Sequence, residues 1–185
     1  MNPDVLFFFD VASVSVALAG CIIAAYFDLG KGRVPNKLTG LMLFISLLLA
    51  AGRIMSGDTA YMLHYVAAIS FGFLAGYFFW IIKAWSGGDA KMFWAISALI
   101  PVYPAGLNIL FHPYIPGYAN ELFGITFLLN LLVVLVFRAA VKHLYHFMVK
   151  KKTTPEKSVR LMPYFLLALI VSLYSDMLWL LFSGT

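Results

Sequence analysis

The sequence predicts an all-α integral membrane protein of about six transmembrane helices, with both termini outside. Three observations predict it. About 63% of the 185 residues are apolar and 11% are charged, whereas soluble domains run at roughly 45–50% and about 25%. Mean hydropathy is +0.92. The apolar residues cluster into stretches near the length of about 20 residues that a bilayer span requires, and the basic residues fall almost wholly between alternate stretches.

The stretches follow in order. The first covers residues 5–27 and is interrupted by Asp10. The second, 38–52, is short, and the third covers 60–82. Between Lys91 and Arg138 the one acidic or basic residue is Glu121, an interval long enough for two spans. Pro101, Pro104, Pro113 and Pro116 put the break there, because proline removes a helical donor and crowds the preceding turn. The fourth span is therefore expected at 90–110 and the fifth at 119–137. The sixth, 161–182, contains Asp176. Residues 138–160 are the longest polar region, read as a helical extension of span five followed by a basic loop.

Twelve of the thirteen bases lie on one side of this arrangement, and Arg53 lies on the other. The positive-inside rule makes the basic side cytoplasmic, which places a multi-pass protein in the cell membrane. Residues 1–185 read as a single transmembrane domain, without internal repeats or low-complexity segments.

The same composition argues against a soluble enzyme, a disordered chain and a nucleic-acid reader, since the net charge of +5 belongs to loops at a membrane face. Cys21 is the sole cysteine, so neither a disulfide framework nor a multi-cysteine zinc module is expected. The start, with Asp4 and Asp10 and no basic segment, reads as a retained span rather than a cleaved signal.

Two of the eight acidic residues stand out. Asp28 closes the first span and Asp89 opens the fourth, 61 positions later and at the same cytoplasmic depth. Packing of span one against span four would join them. Two carboxylates at close range share a proton. The ionised member can deprotonate water while the protonated member polarises a peptide carbonyl, the logic of aspartic proteolysis. Each has a plainer reading. Asp89, after Gly87 and Gly88, could cap helix four. Asp28, on the wrong end of a helix dipole, could be a solvated loop acid offset by Lys31 and Arg33.

The surrounding residues carry a resemblance. Asp28 is followed by Lys31, Arg33, Val34, Pro35, Asn36, Lys37, Leu38 and Thr39, and Asp89 stands in Ser86-Gly87-Gly88-Asp89-Ala90-Lys91. These segments resemble the two signatures of the type IV prepilin peptidase family, which includes the archaeal preflagellin peptidases: an Asp followed by a basic stretch and Pro-Asn-x-Leu-Thr, then Gly-x-Gly-Asp with a following Lys. The resemblance implies an aspartic endopeptidase of type IV pilus or archaellum precursors, with Asp28 and Asp89 as its catalytic pair. The substrate would be a pilin-like precursor with a short basic leader ahead of an apolar helix, cut at the cytoplasmic boundary, typically after a glycine. Longer members carry a cysteine-rich domain and N-methylate the product; this chain is similar to a short, peptidase-only member. No metal or organic cofactor is implied. Ser86 departs from the pattern by replacing its first glycine, a costly change if that position needs positive φ or close backbone approach.

Supporting roles fall to neighbours. Gly87 and Gly88 are expected to turn the chain into span four. Pro35 and Asn36 suit a turn and helix start before span two. Lys91 could orient Asp89 or contact backbone, with interfacial snorkelling the plainer reading. Asp10 lies roughly 27 Å from Asp28 at 1.5 Å per residue, so it and Asp176 are expected to be solvated at the outer surface. His64 reads as packing, His112 as a loop residue, and His143 and His146 as a solvated face without a His-Glu-x-x-His pattern. Cys21 and the many phenylalanines read as lipid-facing or packing residues.

Two rival functions remain open at this level: an ion-coupled transporter using Asp10 and Asp176, and a non-catalytic membrane scaffold. The expected partners are the precursor and the lipid bilayer, with no nucleic acid. The sequence leaves the oligomeric state open.

Overall fold

A computed structural model describes residues 2–104, 123–149 and 162–183. Among these residues the chain forms six helices and no β-strand: α1 Pro3–Lys31, α2 Asn36–Met55, α3 Tyr61–Ile81, α4 Gly87–Leu99, α5 Phe123–Val149 and α6 Met162–Ser183. By length and composition α1, α2 and α3 can each cross a membrane, and the apolar stretches Phe123–Arg138 and Met162–Leu173 are shorter. As expected, α5 continues beyond residue 137 into the polar region.

The local chemistry explains the ends. Asn2 caps α1 by accepting from the Asp4 N–H at 3.0 Å, and Gly32 ends it in the left-handed region at φ 65, where a Cβ is costly. Asp28 therefore sits in the last turn of α1 rather than beyond it. Pro35, at φ −65 and ψ 131, precedes the first residue of α2. The fourth helix corrects the expected 90–110 span. It stops at Leu99, and Ile100 leaves helical space at φ −124 and ψ 75, because the following Pro101 disfavours the α conformation of the residue before it. Its 13 residues rise only about 20 Å.

This short helix is the centre of the fold. It packs against α1, α2, α3 and α5, and Met92, Phe93, Ala95, Ile96, Ser97, Ala98 and Leu99 are all buried. Close approach comes from small residues. On α3 a Cβ at Gly76 would stand 2.8 Å from the Ala90 carbonyl oxygen, and one at Gly72 would stand 2.7 Å from Ser97 Cβ. Gly72-x-x-x-Gly76 thus lets the α3 and α4 backbones nearly touch, a signal the sequence reading passed over. On α1 the buried residues Asp10, Val14, Ala17, Cys21, Ala24 and Asp28 recur every three or four positions and form one face. Phe93, Phe127 and Phe165 join α4, α5 and α6 through ring contacts of 5.6 and 5.7 Å.

The outward faces are apolar as well. Leu41, Phe44, Leu47 and Leu48 on α2, Leu63, Leu74 and Phe78 on α3, and Val133 and Phe137 on α5 are exposed. A soluble helix would put polar residues there; helices apolar all round belong in hydrocarbon. The chain is an all-α membrane protein.

Candidate active site

The loops between α1 and α2 and between α3 and α4 meet at one end of the bundle. Trp85 anchors the second of them. It is 5% exposed and stacks on Phe79 at 4.5 Å, with Phe93 at 5.3 Å and Phe165 at 5.6 Å. That fixes the next residue, Ser86, as the N-cap of α4.

Ser86 and Asp89 form a capping box. The Asp89 N–H donates to Ser86 Oγ at 3.3 Å, and the Ser86 N–H donates to Asp89 Oδ2 at 2.8 Å, so two donors of the helix start are satisfied reciprocally. The backbone at Ser86 is extended, at φ −72 and ψ 161. Positive φ is not required there, and serine adds an acceptor that glycine lacks. The expected cost of the Ser86 departure is thereby corrected. Gly87 and Gly88 lie inside α4 and are absent from the positive-φ glycines, so neither supplies the sharp turn expected of it. Gly88 instead provides proximity: a Cβ there would stand 3.3 Å from Val34 Cβ, on the first signature segment.

A second contact joins the two segments. Lys91 Nζ donates to Asn36 Oδ1 at 2.9 Å. Lys91 therefore binds a side chain of the other segment, rather than orienting Asp89 directly or merely snorkelling. Pro35 and Asn36 begin α2 as expected, and the Asn36 carbonyl accepts from Thr39 Oγ1 at 3.0 Å.

Asp28 and Asp89 are both buried, at 8% and 5% exposure. α1 packs on α4, and the two carboxyls lie close enough for the Asp28 charge to act on Asp89. Burial pushes the Asp89 carboxyl above the ordinary carboxylate range; its bonds with Ser86 oppose this, and the Asp28 charge raises it further. Asp28 Oδ2 is buried with no hydrogen-bond partner, an unfavourable state for a polar atom that calls for an explanation. The expected offset by Lys31 is not made: its ammonium lies over the Phe27 ring at 5.2 Å, and among the described residues neither Lys31 nor Arg33 pairs with Asp28. The solvated-loop reading of Asp28 is excluded by its burial. Asp89 does cap α4, as its plainer reading holds, while also lying within electrostatic reach of Asp28.

At the opposite end, Asp10 corrects its expectation. It is 4% exposed and pairs with Arg53 Nη1 at 2.8 Å, while Arg53 Nε holds Asp58 Oδ2 at 2.9 Å and the guanidinium covers the Tyr61 ring at 4.0 Å. Depth alone suggested solvent. The helix face decided otherwise, because 18 residues make five turns and return Asp10 to the side of Asp28. His64 is half-buried and bonds the Ala60 carbonyl at 3.1 Å. Cys21 is fully buried in the core. Asp176, His112, His143 and His146 lie outside the residues whose side chains are described. Among the described residues no three His, Cys, Asp or Glu side chains cluster as metal ligands.

Residues 15–141 match the model of the type IV leader peptidase family. The interval contains both segments just described. The chain belongs to that family. It is also 32% identical over 134 residues to prepilin peptidase EppA of Methanothermobacter thermautotrophicus, an alignment covering 71% of this chain and 35% of that protein. The chain thus spans about a third of the length of the curated relative it matches. No solved structure matches it. For a leader peptidase family member, the sequence reading missed three supports of the site: the Trp85 anchor, the Ser86 cap and the Val34–Gly88 contact. A serine three positions before an acid is a capping-box signal and was open to detection. The other two depend on which loops meet.

Proposed function

We propose that the chain is a membrane-embedded aspartic endopeptidase, one domain over residues 1–185, that removes the short basic leader of a pilin-like precursor at the cytoplasmic face of the cell membrane. One observation carries the reading: two buried carboxylates from separate, mutually packed helices, Asp28 and Asp89, lie near enough for the Asp28 charge to bear on Asp89. Membership of the leader peptidase family and the likeness to a prepilin peptidase support the same chemistry.

Burial favours the protonated form of Asp89, the form an acid partner needs beside an ionised base. The ionised partner takes a proton from water, whose oxygen attacks the scissile carbonyl carbon. The protonated carboxyl donates to the carbonyl oxygen. Collapse of the tetrahedral intermediate breaks the C–N bond, and the proton held by the first carboxyl passes to the leaving amine. Lys91 and Asn36 hold the two segments in register, with Pro35, Gly87 and Gly88 shaping the approach. The carrier alternative loses support from the Arg53 pairing of Asp10, since a coupling acid needs to exchange its proton.

The test is cleavage of a pilin-like precursor in detergent, read as the mass lost with the leader. Wild type cleaves; Asp28→Asn and Asp89→Asn each lose about 10²–10⁴-fold in rate, or all of it, the scale of a missing general acid or base. A folded wild type that cuts none of several precursors, or either variant at wild-type rate, overturns the reading.

A further inference from the structure

A cavity of about 360 Å³ opens on the α3–α4 side of the bundle, within the size range of small-molecule sites, about 300–1,000 Å³. Its walls include Phe73, Tyr77 and Trp80 from α3 and Ala90, Lys91 and Trp94 from α4. It does not share the face of α4 that carries Asp89. At 3.6 residues per turn, Lys91 projects more than a quarter-turn away from Asp89, and the buried face of Met92, Phe93 and Ile96 continues from Asp89.

The walls are pre-assembled. Phe73 stacks on Tyr77 at 5.8 Å and meets Trp94 edge-on at 5.4 Å, while Tyr77 meets Trp80 at 5.6 Å. Phe73, Tyr77 and Trp80 are each about half exposed, at 48, 47 and 50%, so the cavity faces the lipid side. It lies at the end of the bundle: Trp80 is in the last turn of α3, and α4 begins at Gly87. One charged group lies among its lining residues. Lys91 uses one N–H on Asn36 and has three, leaving two donors and its charge.

We infer that this cavity binds one anionic phospholipid, with a hydrocarbon chain against the aromatic wall and the headgroup phosphate on Lys91. A free anion would leave the rings unused. An apolar helix would leave the ammonium without a counter-charge, and an organic cation would be repelled by it. Basic pockets between helices at a membrane face are suited to such headgroups, and tryptophan and tyrosine favour that depth.

Native mass spectrometry of the full chain in detergent, titrated with dioleoyl phosphatidylglycerol or dioleoyl phosphatidylcholine, tests the inference. Wild type retains one phosphatidylglycerol about fivefold more tightly than phosphatidylcholine, the worth of one lysine at an anionic surface. Lys91→Gln abolishes the preference. Ala90→Phe, which fills the cavity and keeps Lys91, weakens retention of both lipids. Lys37→Gln, a base outside the cavity, leaves the preference intact. Equal retention of the two lipids by wild type, a preference that survives Lys91→Gln, or displacement of the lipid by inorganic phosphate alone overturns the assignment.

Discussion

Lys91 Nζ donates to Asn36 Oδ1 at 2.9 Å across 55 positions of sequence, tying the second turn of α4 to the start of α2. Beside it Val34 lies against Gly88. Asp28 enters from one of these segments and Asp89 from the other, so the bond holds the register of the pair without touching either carboxyl.

Lys91→Ala and Asn36→Ala are each expected to lower the cleavage kcat more than they raise KM, and the double variant to be little worse than the poorer single. The pair is exposed, so its coupling in stability stays below about 1 kcal/mol. A double-mutant cycle run on both kcat and thermal unfolding measures this. Strict additivity in kcat would show that the two residues act separately.

Ser86→Ala removes the cap of α4 and is expected to destabilise the protein by about 1 kcal/mol, whereas Ser86→Gly, which restores the family glycine, costs only a few tenths. The Ser86 side-chain bond also lowers the proton affinity of Asp89, so Ser86→Ala moves the alkaline limb of the cleavage pH profile upward. Unfolding curves and the pH profile of the three proteins check both effects.

Asp89 makes stability depend on pH. Its folded carboxyl is raised above its ordinary value, chiefly by burial, so the folded state binds more protons than the unfolded one. Stability is then highest at acid pH and falls as pH rises from the ordinary Asp range through the raised value. Asp89→Asn is expected to remove this decline, and its melting temperature to gain on wild type as pH rises. Parallel melting curves for the two proteins would refute this.

Arg53→Met leaves Asp10, 4% exposed, without the guanidinium that it meets at 2.8 Å. Breaking one side of a buried pair costs about 3–5 kcal/mol. Adding Asp10→Asn in the same background is expected to recover part of the loss. Denaturant unfolding of the single and double variants decides; a loss below 1 kcal/mol for the single, within the range of an exposed pair, would mean that the cluster is solvated.

Much of this was legible in the residues. Apolar stretches located the six helices among the described residues, the fourth with its end misplaced, since residues that pack or meet hydrocarbon show as apolar runs. The Asp28 and Asp89 segments could be read locally because a capping serine, helix-starting proline and flanking bases act through neighbours. Two expectations failed where only one coordinate was used. Asp10 was placed by depth, although the recurrence of Val14, Ala17, Cys21, Ala24 and Asp28 on its side of α1 marked a buried face. The fourth span was placed by hydropathy, although Pro101 already limited its helix.

The sequence by itself determined the class of protein, the helices, the family signatures and the two acids. Periodicity, composition and capping are properties of residues near one another in the chain. Tertiary structure alone decided that Gly72 and Gly76 admit α4 to the centre, that Val34 meets Gly88, that Lys91 finds Asn36, and that Asp28 comes within electrostatic reach of Asp89. Those relations depend on which helices pack together, and packing is set by shape and burial summed over many distant side chains rather than by any local pattern.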